Sequence, residues 1–115
     1  MQAPVQITFR GIPSSDAIEA RVQEEAEKLG KFHNNITSCR VVIESPHHSQ
    51  TKGNLYHTAI YLSVPGGAIE VTKDNRKDHS HENAYISVRD SFREAARQLD
   101  DRLDKRRHQV RTHIS

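Results

Sequence analysis

Pro65-Gly66-Gly67 stands between two runs of alternating apolar residues, and no other feature of the chain limits its fold so strongly. Before it, "LYHTAIYLSV" (55–64) sets Ile60, Leu62 and Val64 on one face; after it comes "AIEVT" (68–72). Side chains of a strand alternate between two faces, and a connection this short joins only antiparallel neighbours. The Gly66-Gly67 pair is expected to supply the positive backbone angles of a tight hairpin. The fold must therefore contain a sheet, and the rest of the chain has to cover one side of it.

The other segments supply that cover. "VQITFRGI" alternates Val5, Ile7 and Phe9, a strand that ends near Gly11 and is broken by Pro13, Ser14 and Ser15. In "SSDAIEARVQEEAEKLGKF", Ser15 can cap a helix and Asp16 and Glu19 suit its positive end. Ile18, Val22, Ala26 and Leu29 repeat at helical spacing, and Gly30 is the expected stop. "ITSCRVVIES" places Cys39, Val41 and Ile43 on one strand face, with a polar loop from about 45 to 53 before the next strand. A second polar loop, "KDNRKDHSHEN", leads to a last helix with the stripe Tyr85, Val88, Phe92, Ala95 or Ala96, Leu99 and Leu103. The order β-α-β-β-β-α predicts an α+β two-layer sandwich, a four-stranded sheet with both helices on one face. In architecture it resembles the double-stranded-RNA-binding class of folds, a likeness that carries no function by itself.

With 115 residues and no linker or repeat, the chain reads as one domain, 1–115. Its longest apolar runs, such as "AIYL" (59–62), fall far short of the roughly 20 residues of a membrane span. The N-terminus lacks a basic region followed by an apolar stretch, so no membrane partner and a cytoplasmic location are expected. Cys39 is the only cysteine, which excludes an internal disulfide and a cysteine-based metal cage, and it is expected as a small buried strand residue.

Candidate chemistry is thin. Two histidine pairs, His47 with His48 and His79 with His81, fall in the polar loops, but without a third ligand at a defined spacing they are better explained as solvated side chains. A histidine-dependent metal-binding protein remains the alternative from that side. No glycine-rich elbow or phosphate loop provides a setting for a nucleophile. The neighbouring acids Glu24 with Glu25 and Asp100 with Asp101 sit on helix surfaces among cations, as salt-bridge partners do. No catalytic residue, cofactor or metal is expected, and the protein is read as a non-enzyme.

Charge is more informative. The formal net charge is only +2. From Asp101 to Ser115, however, Arg102, Lys105, Arg106, Arg107 and Arg111 face only Asp101 and Asp104, which leaves +3 there and −1 on the remainder. Such asymmetry suits either a polyanionic partner or a solvated helix end. Arg89, Arg93 and Arg97 follow at intervals of four, so they share one side of the last helix, away from the Tyr85, Val88, Phe92 row. Lys28 and Lys31 lie beside them if the two helices pack side by side. The array would suit phosphate oxygens. Asp90, Glu94 and Asp101 are equally close, so an ordinary salt-laced face stays open as the other reading, and a generic structured-RNA-binding module is the broader functional one.

A set of ordered segments carries a resemblance that bears on this choice. "QITFRGI" leading into a capped helix, "EKLGKF" (27–32), "RVVIE" (40–44), "VPGG" (64–67) and "RQL" (97–99), twelve residues after Tyr85, span nearly the whole chain. In this order the sequence resembles the ribosome hibernation promoting factors, the ribosome-associated translation inhibitor family once called sigma modulation proteins, in a short single-domain form. The resemblance implies a β-α-β-β-β-α domain that binds the small ribosomal subunit where mRNA and tRNA meet. It further implies contact with ribosomal RNA through basic residues of both helices. Because the chain ends soon after the last helix, the second domain by which long members pair ribosomes is not expected, and the protein is expected to be a monomer off the ribosome. By match it carries over Lys28, Lys31 and Arg97; Arg89 and Arg93 rest on helix geometry alone. Departures accompany it. "AYISV" stands where "MYAAI" is usual, Glu94 and Asp101 stand where lysines are, and both polar loops look longer than usual.

Overall fold

The structure is a computed structural model that describes residues 4–44, 57–73 and 84–114, the side chains of Lys73 and of residues 103–114 excepted. Its elements are β1 (Val5–Arg10), α1 (Asp16–Phe32), β2 (Ser38–Glu44), β3 (His57–Val64), β4 (Gly67–Lys73) and α2 (Ala84–Ile114). The predicted order is the observed one. The sheet runs β1-β2-β3-β4, with β1 parallel to β2 and the other pairs antiparallel. The parallel pair follows from α1, because a crossover helix returns the chain to the same end of the sheet.

Register puts the apolar alternation on a single face. Val5, Ile7 and Phe9 lie opposite Cys39, Val41 and Ile43, which in turn face Leu62, Ile60 and Thr58; Ile69 and Val71 continue the row on β4. That face meets Val22, Ala26 and Leu29 of α1 and Val88, Phe92, Ala95 and Leu99 of α2 in one core. Burying such side chains stabilises by roughly 1.5–3 kcal/mol each before the entropy of ordering is subtracted. One polar pair is inside: the Thr58 and Ser87 hydroxyls are 2.8 Å apart, joining β3 to α2 without a stranded group at either oxygen.

Three local expectations need revision. Gly30 does not stop α1; it is buried, and the helix runs on to Phe32, where the backbone N–H of His33 caps the Leu29 carbonyl at 3.0 Å. Ser15 does cap the start, its hydroxyl accepting from the Ile18 N–H at 3.3 Å. Tyr85 belongs to the edge of its stripe, at 38% exposure, and Ala84 takes the buried position. At the hairpin only Gly66 has a positive φ, 84°, while Gly67 already pairs with Val64 in the ladder. The loop histidines His47, His48, His79 and His81 and the Leu103 side chain lie outside the described residues.

Gly67 is instead a place of close approach. A Cβ there would stand 2.9 Å from a guanidinium nitrogen of Arg102, which also reaches the Pro65 carbonyl at 3.4 Å. The clash is with the tip of a flexible side chain, which can swing away, whereas the backbone angle at Gly66 cannot be relieved. Gly66→Ala is therefore expected to lower stability by about 1–2 kcal/mol, and Gly67→Ala by no more than about 0.5 kcal/mol. Urea midpoints of the two variants check the ranking; the reverse order would make the Arg102 contact a structural tie.

Cys39 is 1% exposed, and burial pushes its thiol up from 9.0 to about 11. The unfolded chain gives up this proton first, so the contribution is fully present below pH 9 and is lost as pH rises toward 11. Between those limits the loss should approach about 1.4 kcal/mol per pH unit. The difference in unfolding free energy between wild type and Cys39→Ala, followed from pH 8 to 11, should shrink with that slope. A constant difference would mean that the thiol ionises as readily folded as unfolded.

Candidate nucleic-acid interface

The helices lie side by side and parallel. Near their starts the Arg21 guanidinium stands over the Tyr85 ring, 5.7 Å from its centre; near the end of α1, His33 and Asp100 are 3.3 Å apart. The seam between these two contacts opens into a groove of about 310 Å³ whose floor includes Leu29, Phe92 and Ala96. Side-by-side packing follows from the two apolar stripes sharing one sheet face, and it leaves the flank of each stripe turned toward the other helix.

The five expected basic residues do not behave alike. Lys28 and Arg93 come together, one from each helix, on the wall of this groove. Lys28 keeps 58% exposure and reaches Glu24 at 3.8 Å and Glu25 at 3.9 Å, long contacts worth little at a wet surface. Lys31, in the last turn of α1, and Arg93 are exposed and make no ion pair among the described residues. Arg89 turns to Asp90 at 3.2 Å. Arg97 is held from both sides, by Glu94 and by Asp101 at 3.0 Å. Its hydrogen bond to Glu94 raises the guanidinium pKa further, with both carboxylates adding their charge. So the salt-laced reading describes Arg89 and Arg97, while Lys31 and Arg93 remain open, with Lys28 between the two cases.

Three residues at the seam and one at the hairpin take places that sequence reasoning does not foresee. Arg21 and His33 bridge the helices, Arg102 lies over the hairpin turn, and Phe32 projects at 83% exposure. For Phe32 there is a signal: the stripe steps from Leu29 to His33, so an aromatic ring one position earlier falls on its flank. The other three depend on which elements lie next to each other, and periodicity within one element does not contain that.

Metal and membrane chemistry find no support in the described part. No three His, Cys, Asp or Glu side chains among the described residues stand close enough to hold a metal ion. His33 and His57 each face a carboxylate, Asp100 and Glu44. No described helix is long and apolar enough to cross a membrane.

Comparison with known proteins extends this picture. Residues 5–107 match the family model described as sigma 54 modulation protein / S30EA ribosomal protein. No curated protein matches the chain in sequence. Among solved structures, a ribosomal subunit interface protein from Coxiella burnetii superposes with a TM-score of 0.69 at 14% identity, over 87% of this chain and 97% of that one. The N-terminal domain of Protein Y from Thermus thermophilus superposes with a TM-score of 0.62 at 18% identity, over 86% and 96%. At such identities the likeness is one of fold.

Proposed function

The chain belongs to the sigma 54 modulation protein / S30EA ribosomal protein family, and from that membership we propose that it is a cytoplasmic translation inhibitor that binds the small ribosomal subunit. In this reading the domain occupies the channel where mRNA and tRNA meet, as a monomer until it docks, and silences the idle ribosome by filling that space. Its contacts are to ribosomal RNA, made by basic side chains of both helices. The observation that carries the reading is the seam: the sheet holds two parallel helices so that Lys28 and Arg93 share one groove wall, with Lys31 open in the last turn of α1. Cations fixed on a rigid layer suit phosphates whose positions are themselves fixed, as in folded RNA.

Arginine and lysine divide the work by their chemistry. The planar fork of Arg93 can grip two phosphate oxygens at once, and the lysines act as mobile point charges at the margin. Arg89 and Arg97 can join only by exchanging a carboxylate for a phosphate. They are reserves in this interface, recruited when the polyanion outcompetes Asp90, Glu94 and Asp101.

Added in stoichiometric amounts to a purified translation system, the protein should lower output, and excess free small subunits, but not large ones, should restore it. Output that stays unchanged would remove the inhibitor reading; relief by duplex RNA as readily as by small subunits would leave a general RNA-binding module.

A further inference from the structure

Phe32 is the largest apolar group that the described fold leaves in water. It ends α1 at 83% exposure and lines the mouth of the inter-helix groove, whose floor of Leu29, Phe92 and Ala96 is apolar. Tyr85, the other exposed aromatic at the seam, already carries the Arg21 guanidinium; among the described residues no cation stands over the Phe32 ring. The groove is thus an apolar slot with a free aromatic ring at its opening.

Its charge says what kind of partner fits. Of the groove's carboxylates, Glu25 is tied within the chain to Arg21 at 3.7 Å and to Lys28 at 3.9 Å, while Asp100 faces His33 at 3.3 Å, an ion pair only when that imidazole is protonated. Arg93 on the groove wall makes no ion pair among the described residues; Lys31, next to Phe32 in sequence, is likewise open but does not line the groove. An apolar floor and an exposed ring with an open guanidinium on the groove wall match a nucleotide, which is a flat π-face attached to a phosphate. They match a duplex poorly, because a duplex keeps its faces stacked inside.

Resting on the proposed binding of ribosomal RNA, we propose that Phe32 is a stacking platform for one unpaired base. The base is splayed from a loop or bulge, lies on the ring and points into the groove, with its phosphate held by Arg93. Arrays of lysine and arginine fix position on a backbone without reading it; a ring that demands an unstacked base adds a choice among sites.

The chain has no tryptophan, so Phe32→Trp introduces a single indole reporter at the site. Binding to purified small subunits would be measured over a range of salt for wild type, Phe32→Ala, Phe32→Leu and Phe32→Trp. The residue is exposed, so all four should fold. Phe32→Ala and Phe32→Leu should lose about 5- to 150-fold in affinity with an unchanged salt slope, because stacking releases no counterions. Phe32→Trp should bind like wild type, and its emission should be quenched on binding.

Phe32→Ala binding as tightly as wild type would overturn the stacking proposal and leave the ribosomal reading intact. Phe32→Leu at full affinity, with indole emission shifted to the blue but not quenched, would overturn it in favour of a ribosomal protein pocket. If wild type itself does not bind small subunits, both the platform and the reading it rests on fall.

Discussion

Neutralising Lys28, Lys31 and Arg93 together is expected to cost about 100-fold in affinity for small ribosomal subunits at 0.1 M salt. Each phosphate contact on a single strand contributes about 0.7 to the slope of log affinity against log salt, so three lost contacts flatten it by about 2, and each unit of slope is a decade between 1 M and 0.1 M. The three side chains are exposed, and two of them have no ion pair among the described residues. Their loss should therefore leave stability within about 1 kcal/mol. The pair Arg89→Gln and Arg97→Gln serves as the contrast. These guanidiniums are engaged by Asp90, Glu94 and Asp101, and an interaction with phosphate has to replace one that already exists. Their replacement should flatten the slope by less than one unit. A larger effect from this pair than from the triple variant would move the interface from the groove to the outer face of α2.

Ile60→Ala is expected to remove about 2–5 kcal/mol of folding stability, the usual range for emptying a fully buried isoleucine site. Ile60 is 0% exposed at the middle of β3, with Val41 and Val71 at its two sides in the ladder, themselves 0% and 2% exposed. No water reaches the cavity this would leave, and the strands on both sides are pinned by backbone pairing, so the site cannot collapse freely. Small domains are stable by roughly 5–15 kcal/mol, so the loss is a large fraction of the whole. Thr72→Ala, on the exposed face of the neighbouring strand, should change stability by no more than about 0.5 kcal/mol. Urea denaturation measures both. Ile60→Ala should still bind ribosomes with wild-type salt dependence wherever it is folded, because the groove cations are untouched.

The order of elements was legible because each carries its own period. Val5, Ile7 and Phe9 alternate, Val22, Ala26 and Leu29 step by three and four, and Pro65-Gly66 forces a reversal; none of this needs a partner. Gly30 shows where local rules stop. A glycine can end a helix or lie buried within one, and its place in the sequence does not decide between them. The basic array was legible in the same partial way. Spacing placed Arg89, Arg93 and Arg97 along one helix, but whether a guanidinium is open depends on rotamers that swing Arg97 to Glu94 and leave Arg93 at the groove. The contacts Arg21 to Tyr85 and His33 to Asp100 join residues more than sixty positions apart in sequence, and no periodicity within one element predicts such pairs.

Sedimentation through density gradients at rising salt tests the central claim most directly. The protein, mixed with separated small and large ribosomal subunits, should travel with the small subunit at low salt and leave it progressively as salt increases. The Lys28, Lys31, Arg93 triple variant should be released earlier and along a flatter line of log affinity against log salt. A protein that stays at the top of the gradient at low salt would contradict ribosome binding altogether, and parallel lines for wild type and triple variant would contradict the groove as the surface that meets the RNA.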